Sequence, residues 1–163
     1  MTRIGLLSDT HGYLDDKILD FFGACDEIWH AGDLGNIAIA DVLSREAKFR
    51  AVYGNIDGTE IRTTYPEHLK FTCERVNIWM THIGGYPGNY DRRIRKQIRL
   101  NPPGVFISGH SHILKVMHDK ELNLLHINPG AAGKQGFHKV RTAVRFFIDN
   151  ERIKNLEVLE LKR

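Results

Sequence analysis

Residues 3–12 read RIGLLSDTHG, a short apolar run that predicts a β-strand and ends in a polar junction with a glycine. The same arrangement returns twice before residue 60, at residues 26–33 (DEIWHAGD) and 49–58 (FRAVYGNIDG). Between these strands, Leu14–Phe22 and Ile37–Ser44 carry apolar residues at helical spacing. Repetition of strand, polar junction and helix indicates an α/β fold, in which functional residues gather at the carboxyl ends of strands.

The second half of the chain predicts mainly strands joined by tight turns. The predicted elements are the strands 69–73, 76–81 and 105–108, the basic amphipathic helix 91–100, and the strand-like segments within 113–127 and 142–161. No linker, internal repeat or low-complexity segment interrupts them. We therefore expect one domain that spans residues 1–163 and contains two sheets.

Composition restricts the class of protein. The chain has 163 residues, 42% of them hydrophobic and 26% charged, which is typical of a globular domain with a core. Neither a signal peptide nor a transmembrane helix is expected, since no apolar run approaches about 18 residues. The two cysteines, Cys25 and Cys73, form no disulfide framework and are expected to be small buried residues of a cytoplasmic protein. The net charge of +3 suits an anionic substrate and gives no specific indication of nucleic-acid or membrane binding.

Potential metal ligands are concentrated in five polar junctions, each of which follows an apolar segment. The junctions are Asp9-Thr10-His11, Gly32-Asp33, Gly54-Asn55, Thr81-His82 and Gly109-His110-Ser111-His112. In Asp-x-His and His-x-His pairs the two outer side chains point the same way, so both can reach one ion. Any one junction alone is more readily a turn, a helix cap or a buried histidine. Together they predict a site for manganese, iron, zinc, nickel or cobalt, since carboxylate, imidazole and amide ligands suit these ions.

The ordered set D-x-H, G-D, G-N, H and G-H-x-H resembles the calcineurin-like metallophosphoesterases. The short chain and the later Asn128-Pro129-Gly130 are similar to the small YfcE-like phosphodiesterase branch. The matching motifs extend from Asp9 to Gly130. The resemblance implies a four-layer α-β-β-α sandwich, with two mixed β-sheets flanked by helices.

The resemblance also implies a dinuclear metal site. One divalent ion would be held by Asp9, His11, Asp33 and His112. Asp33 would bridge to a second ion, completed by Asn55, His82 and His110. Manganese is the preferred ion, with nickel, zinc, iron and cobalt as alternatives.

The expected activity is hydrolysis of a phosphodiester by a hydroxide that bridges the two ions. Asp33, Asn55 and His82 are the residues assigned to catalysis. The substrate would be a small phosphodiester, with nucleotide-derived esters among the candidates. The alternatives are a phosphomonoesterase and a non-catalytic protein-interaction module that retains the pocket. Homodimers or homotetramers are expected from the resemblance alone.

Three positions depart from the family pattern. Many relatives carry histidine where this chain has Ile56, which leaves the proton donor for the leaving group open among Asp57, His30 and metal-bound water. His82 is followed by Ile83-Gly84-Gly85-Tyr86 instead of a further Gly-His, which predicts a reshaped pocket rim. Asn36 stands where many relatives have an aspartate and is expected to support the ligands.

Weaker signals flank these motifs. The basic helix and the aromatic residues Tyr13, Tyr86 and Tyr90 lie close to the ligand junctions in sequence. They form either a solvated surface with packing at the rim or contacts to the substrate. The sequence alone leaves these alternatives open.

Overall fold

The first of two face-to-face β-sheets begins the chain in the computed structural model, which describes residues 1–163. Its strands are β1 (Thr2–Leu7), β2 (Glu27–His30), β3 (Lys48–Ala51), β11 (Val140–Asp149) and β12 (Arg152–Lys162). Their order across the sheet is β12-β11-β1-β2-β3. Strands β1, β2 and β3 are parallel, whereas β11 runs antiparallel to β1 and β12 antiparallel to β11.

The second sheet has the order β4-β5-β8-β10-β9. Its strands are β4 (His68–Cys73), β5 (Val76–Thr81), β8 (Val105–Ile107), β9 (Leu114–Asp119) and β10 (Leu124–Pro129). The three central strands, β5, β8 and β10, are parallel, and the two edge strands are antiparallel to their neighbours. A small hairpin, β6 (Gly85–Tyr86) and β7 (Asn89–Tyr90), follows β5.

Four helices cover the outer faces of the sheets. They are α1 (Asp16–Phe22), α2 (Ile37–Glu46), α3 (Thr59–Thr64) and α4 (Arg95–Leu100). Helices α1 and α2 pack on the first sheet through residues such as Phe22 and Leu43, and α4 packs on the second sheet through Ile98. None of the helices has the length and apolar character that a membrane span requires.

The main core lies between the sheets because strand residues alternate between the two faces. In β1, Ile4 and Leu6 point into this core, while Leu7 belongs to the cluster under α1 and α2. Gly5 lies under α1, where a Cβ atom would come within 2.7 Å of the Phe22 ring. The predicted four-layer α-β-β-α sandwich is therefore confirmed.

The structure corrects several element boundaries. Helix α4 begins at Arg95, not at Asp91, because residues 91–94 form a turn in which Ile94 N–H donates to the Asp91 carbonyl. Strand β3 covers Lys48–Ala51 instead of 49–53, and β8 ends at Ile107. Helix α3 and the hairpin β6–β7 were not predicted, because each is too short to show a hydrophobic period.

Two predictions about single residues also need correction. Cys73 is buried as predicted, but Cys25 is only half-buried, in the turn that follows α1. Asn36 supports no ligand through its side chain. Instead it caps α2, where its Oδ1 accepts the Ala38 N–H at 2.9 Å.

Candidate metal centre

The five junctions meet at one edge of the sandwich. They follow β1, β2, β3, β5 and β8, the parallel strands whose carboxyl ends point in a common direction within each sheet. Backbone hydrogen bonds tie the first two junctions together, with Asp9 N–H donating to the Gly32 carbonyl at 3.0 Å and His11 N–H to the Asp33 carbonyl at 3.1 Å. The fold thus brings together residues that are far apart in the sequence.

Six of the predicted ligands form two groups of three, and within each group the potential ligand atoms lie within 4.8 Å of one another. The Asp9 group consists of Asp9, His11 and His112, and the Asp33 group consists of Asp33, His82 and His110. Asp9 Oδ1 is 3.2 Å from His112 Nε2. Asp33 Oδ2 is 3.1 Å from His82 Nε2.

The two groups adjoin each other. Asp33 Oδ2 is also 3.6 Å from His11 Nε2, and Asp9 Oδ1 is 3.7 Å from His82 Nε2. Both carboxylates therefore face imidazoles of both groups. The seventh predicted ligand, Asn55, lies beside the Asp33 group with its Oδ1 at 3.0 Å from His110 Nδ1.

Three buried polar atoms at the centre have no hydrogen-bond partner. They are Asp9 Oδ1, His11 Nε2 and His82 Nε2. Unpaired buried polar atoms are costly, and native proteins rarely contain them unless an ion or a water completes the site. Two carboxylates and four imidazoles, with an amide oxygen at the rim, are a donor set that fits divalent transition-metal ions.

Neighbouring histidines lower the pKa values of both carboxyl groups. Burial alone raises the pKa of Asp9, but the imidazoles of His11 and His112 beside it outweigh burial and hold it well below its ordinary range. Burial likewise raises the pKa of Asp33, and the His82 imidazole 3.1 Å from its Oδ2 outweighs burial. Both side chains are therefore carboxylates at neutral pH and can bind a cation.

The same pairs raise the pKa values of two histidines. The Asp9 carboxylate beside it raises the pKa of His11. Burial lowers the pKa of His82, but the Asp33 carboxylate 3.1 Å from its Nε2 outweighs burial and raises it. Burial lowers the pKa of His110. A cation that binds here would displace protons from His11 and His82, so metal affinity rises with pH.

An unusual backbone conformation orients the ligands. Five of them have φ angles in the left-handed region, namely Asp9 (54°), His11 (46°), Asp33 (58°), His110 (69°) and His112 (60°). This region costs roughly 1 kcal/mol or more for residues other than glycine and is found most often at functional sites. The sharp turns direct the ligand side chains toward one another.

The glycines that precede Asp33 and Asn55 are required for close packing. A Cβ atom on Gly32 would lie 2.6 Å from His82 Nδ1, and one on Gly54 would overlap the Asp33 carboxylate. In the G-D and G-N motifs, one residue is a predicted ligand, and the glycine before it leaves room for the side chain of another predicted ligand.

Hydrogen bonds fix the tautomers of two ligand histidines. His82 Nδ1–H donates to the Ala31 carbonyl at 2.7 Å, which leaves the Nε2 lone pair for a metal ion. His112 Nδ1 lies 3.3 Å from His138 Nδ1, and His138 Nε2–H donates to the Gly133 carbonyl at 2.7 Å. With its Nε2–H bound to this carbonyl, His138 can accept the His112 Nδ1–H at its own Nδ1, which leaves His112 Nε2 free.

The contact of His138 with His112 was not predicted from the sequence. This residue lies in an irregular loop between β10 and β11, and no periodicity or spacing links it to His112. Only the close approach of the two rings, whose centroids are 5.1 Å apart, identifies it. Its position after Gly133 and Gly136 is the one sequence feature that sets His138 apart, and a histidine near glycines is too common to indicate a functional site.

The side chain of Asn128 holds the loop that carries His110 and His112. Its Nδ2 donates to the Gly109 carbonyl and to Ser111 Oγ, both at 3.0 Å, and its Oδ1 accepts the Gly130 N–H at 3.0 Å. The support that residues 128–130 give this loop therefore comes through the amide side chain of Asn128.

His30 and Asp57, two of the predicted proton-donor alternatives, serve to brace the junctions. Asp57 is buried, and its carboxylate accepts the N–H groups of Leu34 and Gly35 at 3.2 and 2.8 Å and that of Gly54 at 2.8 Å. Burial lowers the pKa of His30 to about 3, so its ring is neutral. His30 Nδ1 accepts the Gly32 N–H at 3.1 Å. Neither side chain is free to protonate a leaving group.

The three tyrosines near the junctions differ in their exposure. Tyr90 is buried and its hydroxyl donates to Asp119 at 2.6 Å, so its ring faces the core and not a ligand. Tyr86 is exposed, with Lys115 Nζ 4.1 Å from its ring centroid. Tyr13 has Lys134 Nζ at 4.2 Å from its ring centroid.

Two mixed sheets between helical layers, with carboxylate–histidine groups at the strand ends, define the class of metal-dependent α/β sandwich proteins. Residues 2–151 match the family model described as the calcineurin-like phosphoesterase superfamily domain. The chain belongs to this superfamily, and the resemblance inferred from the five motifs is confirmed. The family is metal-dependent, and its members are phosphoesterases.

Known proteins with similar sequences or structures agree with this assignment. A protein of Methanothermobacter thermautotrophicus named "Probable metallophosphoesterase" is 30% identical over 136 residues, which cover 78% of this chain and 76% of that protein. A novel archaeal phosphodiesterase of known structure has a TM-score of 0.77 and 22% identity, with 98% of this chain and 99% of that chain covered. Vps29 of Entamoeba histolytica in complex with Zn²⁺ has a TM-score of 0.75 and 16% identity, with 98% of both chains covered. These two structural similarities establish the fold.

Proposed function

We propose that this protein is a metal-dependent phosphodiesterase that hydrolyses a small phosphodiester. The observation that carries the proposal is the convergence of three unpartnered buried atoms, Asp9 Oδ1, His11 Nε2 and His82 Nε2, at the strand ends of a phosphoesterase fold. Buried acceptors of this kind need a cation between them. The ligands in the proposal are the seven residues Asp9, His11, Asp33, Asn55, His82, His110 and His112.

Two divalent ions, when bound, supply positive charge for the phosphate oxygens and a hydroxide nucleophile at neutral pH. Asp33 is the bridging ligand in this proposal. Support comes from its Oδ2, which is 3.1 Å from His82 Nε2 in its own group and 3.6 Å from His11 Nε2 in the other. Its Oδ1 accepts the Ile56 N–H at 3.0 Å, which orients Oδ2 toward the centre.

His82 and Asn55 have different roles in this proposal. His82 is buried and its Nδ1–H is bound to the Ala31 carbonyl, so its Nε2 can act only as a metal ligand. Asn55 is exposed at the rim. Its amide can therefore ligate through Oδ1 and donate an N–H to a phosphate oxygen of the bound substrate.

A diester is favoured over a monoester because no side chain is placed to protonate the leaving group. Ile56 is 48% exposed next to Asn55, where many relatives have histidine, and both His30 and Asp57 are engaged in the fold. Esters with a good leaving group depend least on such a donor.

Four further expectations belong to this proposal. Manganese is the preferred metal, with nickel, zinc, iron and cobalt as alternatives. Residues 1–163 act as one domain, the protein works in the cytoplasm, and it forms a homodimer or homotetramer.

The first test measures hydrolysis of bis(4-nitrophenyl) phosphate and of 4-nitrophenyl phosphate. The protein is stripped of metal and reloaded separately with manganese, nickel, zinc or magnesium, with His82→Ala as the inactive control. We expect diester turnover that requires a transition metal and disappears in the variant. Faster monoester turnover would make the protein a phosphomonoesterase. Stoichiometric metal binding without turnover of either ester would favour the interaction module.

A further inference from the structure

A second recess adjoins the metal centre. It has a volume of about 710 Å³, in the range of sites that hold nucleotide-sized molecules. The hairpin β6–β7, the turn that precedes α4 and strand β9 form its walls. Residues 109–111, which include the metal ligand His110, form the side toward the centre. A molecule bound at the metal centre can therefore extend into this recess, which we name the side cavity.

The side cavity is rich in positive charge. Four basic residues line it, and Asp91 is the one acidic residue. Arg93 pairs with that carboxylate at 2.9 Å, and Arg95 donates to the Tyr90 carbonyl at 3.0 Å. The other two, Arg92 and Lys115, form no salt bridge with any residue of the chain. An anion that enters the cavity can therefore pair with these two side chains without breaking an existing salt bridge.

An aromatic ring lies at the same wall. Tyr86 is 42% exposed and Lys115 Nζ lies 4.1 Å from its ring centroid. An exposed tyrosine ring beside a lysine offers a stacking surface next to a cation. A planar group that carries a phosphate can use both.

The floor contains a buried acceptor without a partner. His126 is fully buried, and its Nδ1–H donates to the Phe106 carbonyl at 3.2 Å. Its Nε2 has no hydrogen-bond partner. Burial lowers the pKa of His126 to about 4, so the ring is neutral and Nε2 carries a lone pair. Because this atom has no exposed surface, the ring forms the floor of the cavity and does not contact a ligand directly.

We propose that the side cavity binds the half of the substrate that does not react, and that this half is a nucleoside with a second phosphate group. The inference rests on the proposed phosphodiesterase function, since it assumes that the scissile phosphate is at the metal centre. Arg92 and Lys115 bind the additional phosphate, and Tyr86 stacks on the base. The substrate is thus a phosphorylated nucleotide diester and not a simple dialkyl phosphate.

Binding to the metal-loaded protein tests this directly. Calorimetry compares inorganic phosphate, adenosine 5′-monophosphate and adenosine 3′,5′-bisphosphate. We expect the bisphosphate to bind at least about tenfold more tightly than the monophosphate, because its second phosphate gains charge-assisted contacts. The double variant Arg92→Gln/Lys115→Gln should bind both nucleotides equally, with its affinity for inorganic phosphate unchanged. Arg45→Gln, on the exposed surface of α2, is the matched control.

A second variant tests the stacking surface. Tyr86→Leu removes the exposed ring, so both nucleotides should bind at least about fivefold more weakly while inorganic phosphate is unaffected. Equal affinities of wild type for the two nucleotides would overturn the inference. So would a double variant that binds inorganic phosphate as poorly as it binds the bisphosphate.

Hydrolysis of bis(4-nitrophenyl) phosphate separates this inference from the function on which it rests. This ester carries no second phosphate, and the Arg45→Gln control should hydrolyse it at the wild-type rate. Turnover of this ester without preference for the bisphosphate overturns the inference alone. A preference for the bisphosphate without any metal-dependent turnover overturns the phosphodiesterase function and leaves the side cavity as a nucleotide-binding site.

Discussion

The two ligand groups have the same composition, one aspartate and two histidines, but different support. Main-chain atoms hold the Asp33 group, since His82 donates to the Ala31 carbonyl and Asp33 Oδ1 accepts the Ile56 N–H. In the Asp9 group the support comes from a side chain, because His112 Nδ1 is hydrogen-bonded to His138 Nδ1. A main-chain hydrogen-bonding group stays in place when a side chain is substituted. A supporting side chain on a loop, in contrast, can be removed by one substitution. The two groups should therefore respond differently to mutation.

The largest expected effect comes from Asp33, whose Oδ2 faces both groups. Asp33→Asn should lower diester turnover by more than about 100-fold, beyond the range for residues that only support ligands. It should also reduce the metal content of both groups, because the shared negative charge is lost. Turnover and metal content by elemental analysis are the measurements.

Asp41→Asn is the matched control, since Asp41 is exposed on α2 and belongs to neither ligand group. It should leave both quantities unchanged. Retention of two bound metals and turnover within tenfold of wild type in Asp33→Asn would contradict a shared role for this carboxylate.

Gly54→Ala tests the main-chain support of the Asp33 group. The added methyl would overlap the Asp33 carboxylate, so we expect a loss of about 1–3 kcal/mol in the free energy of unfolding and weaker metal binding. Gly58→Ala is the control in the same loop, because a Cβ atom there meets nothing within 4 Å. Its effect should stay within about 0.5 kcal/mol. Denaturant unfolding measures both, and equal effects would show that packing against Asp33 is not what Gly54 provides.

His138→Ala should weaken the Asp9 group selectively. Without the acceptor at His138 Nδ1, His112 can adopt the tautomer that protonates Nε2, and metal affinity should fall about 10-fold to 100-fold. A titration with manganese should then separate into one tight and one weakened site. His118→Ala, at an exposed position on β9, is the control. Uniform weakening of both sites would mean that His138 supports the whole centre and not one group.

The smallest expected effect is the pH dependence of stability. Without metal, the lowered pKa values of Asp9 and Asp33 stabilise the fold above about pH 4, and this contribution is lost as the pH falls. The raised pKa values of His11 and His82 stabilise it fully below about pH 6.5, and this contribution is lost as the pH rises through them. The metal-free protein should be most stable between these limits.

Metal binding reverses the loss of stability above about pH 6.5, because the ion replaces the protons on His11 and His82. The rise in Tm on addition of manganese should be about 2–4 °C greater at pH 8 than at pH 6, which corresponds to roughly 1 kcal/mol for a chain of this size. Thermal unfolding at both pH values measures it. An increment that does not depend on pH would show that these histidines do not exchange protons for metal.

The candidate ligands could be predicted because each follows a strand that can be recognised from its apolar residues. The spacing of the D-x-H and G-H-x-H pairs directs their outer side chains the same way, and parallel strands end at a common edge. The same strand pattern predicted the two sheets, and the resemblance to the family implied the four-layer sandwich. The short elements α3 and β6–β7 were not, because their formation depends on contacts with distant segments.

The sequence by itself therefore determined the family, the alternation of strands and helices near the amino terminus and the candidate metal ligands, since local spacing and hydrophobic period encode them. Only the tertiary structure decided that Asp57 and His30 brace the junctions, that His138 supports His112, and that the ligands take left-handed backbone angles. It also decided the charge and depth of the side cavity. These features arise from contacts between residues far apart in the chain, and sequence spacing carries no information about such contacts.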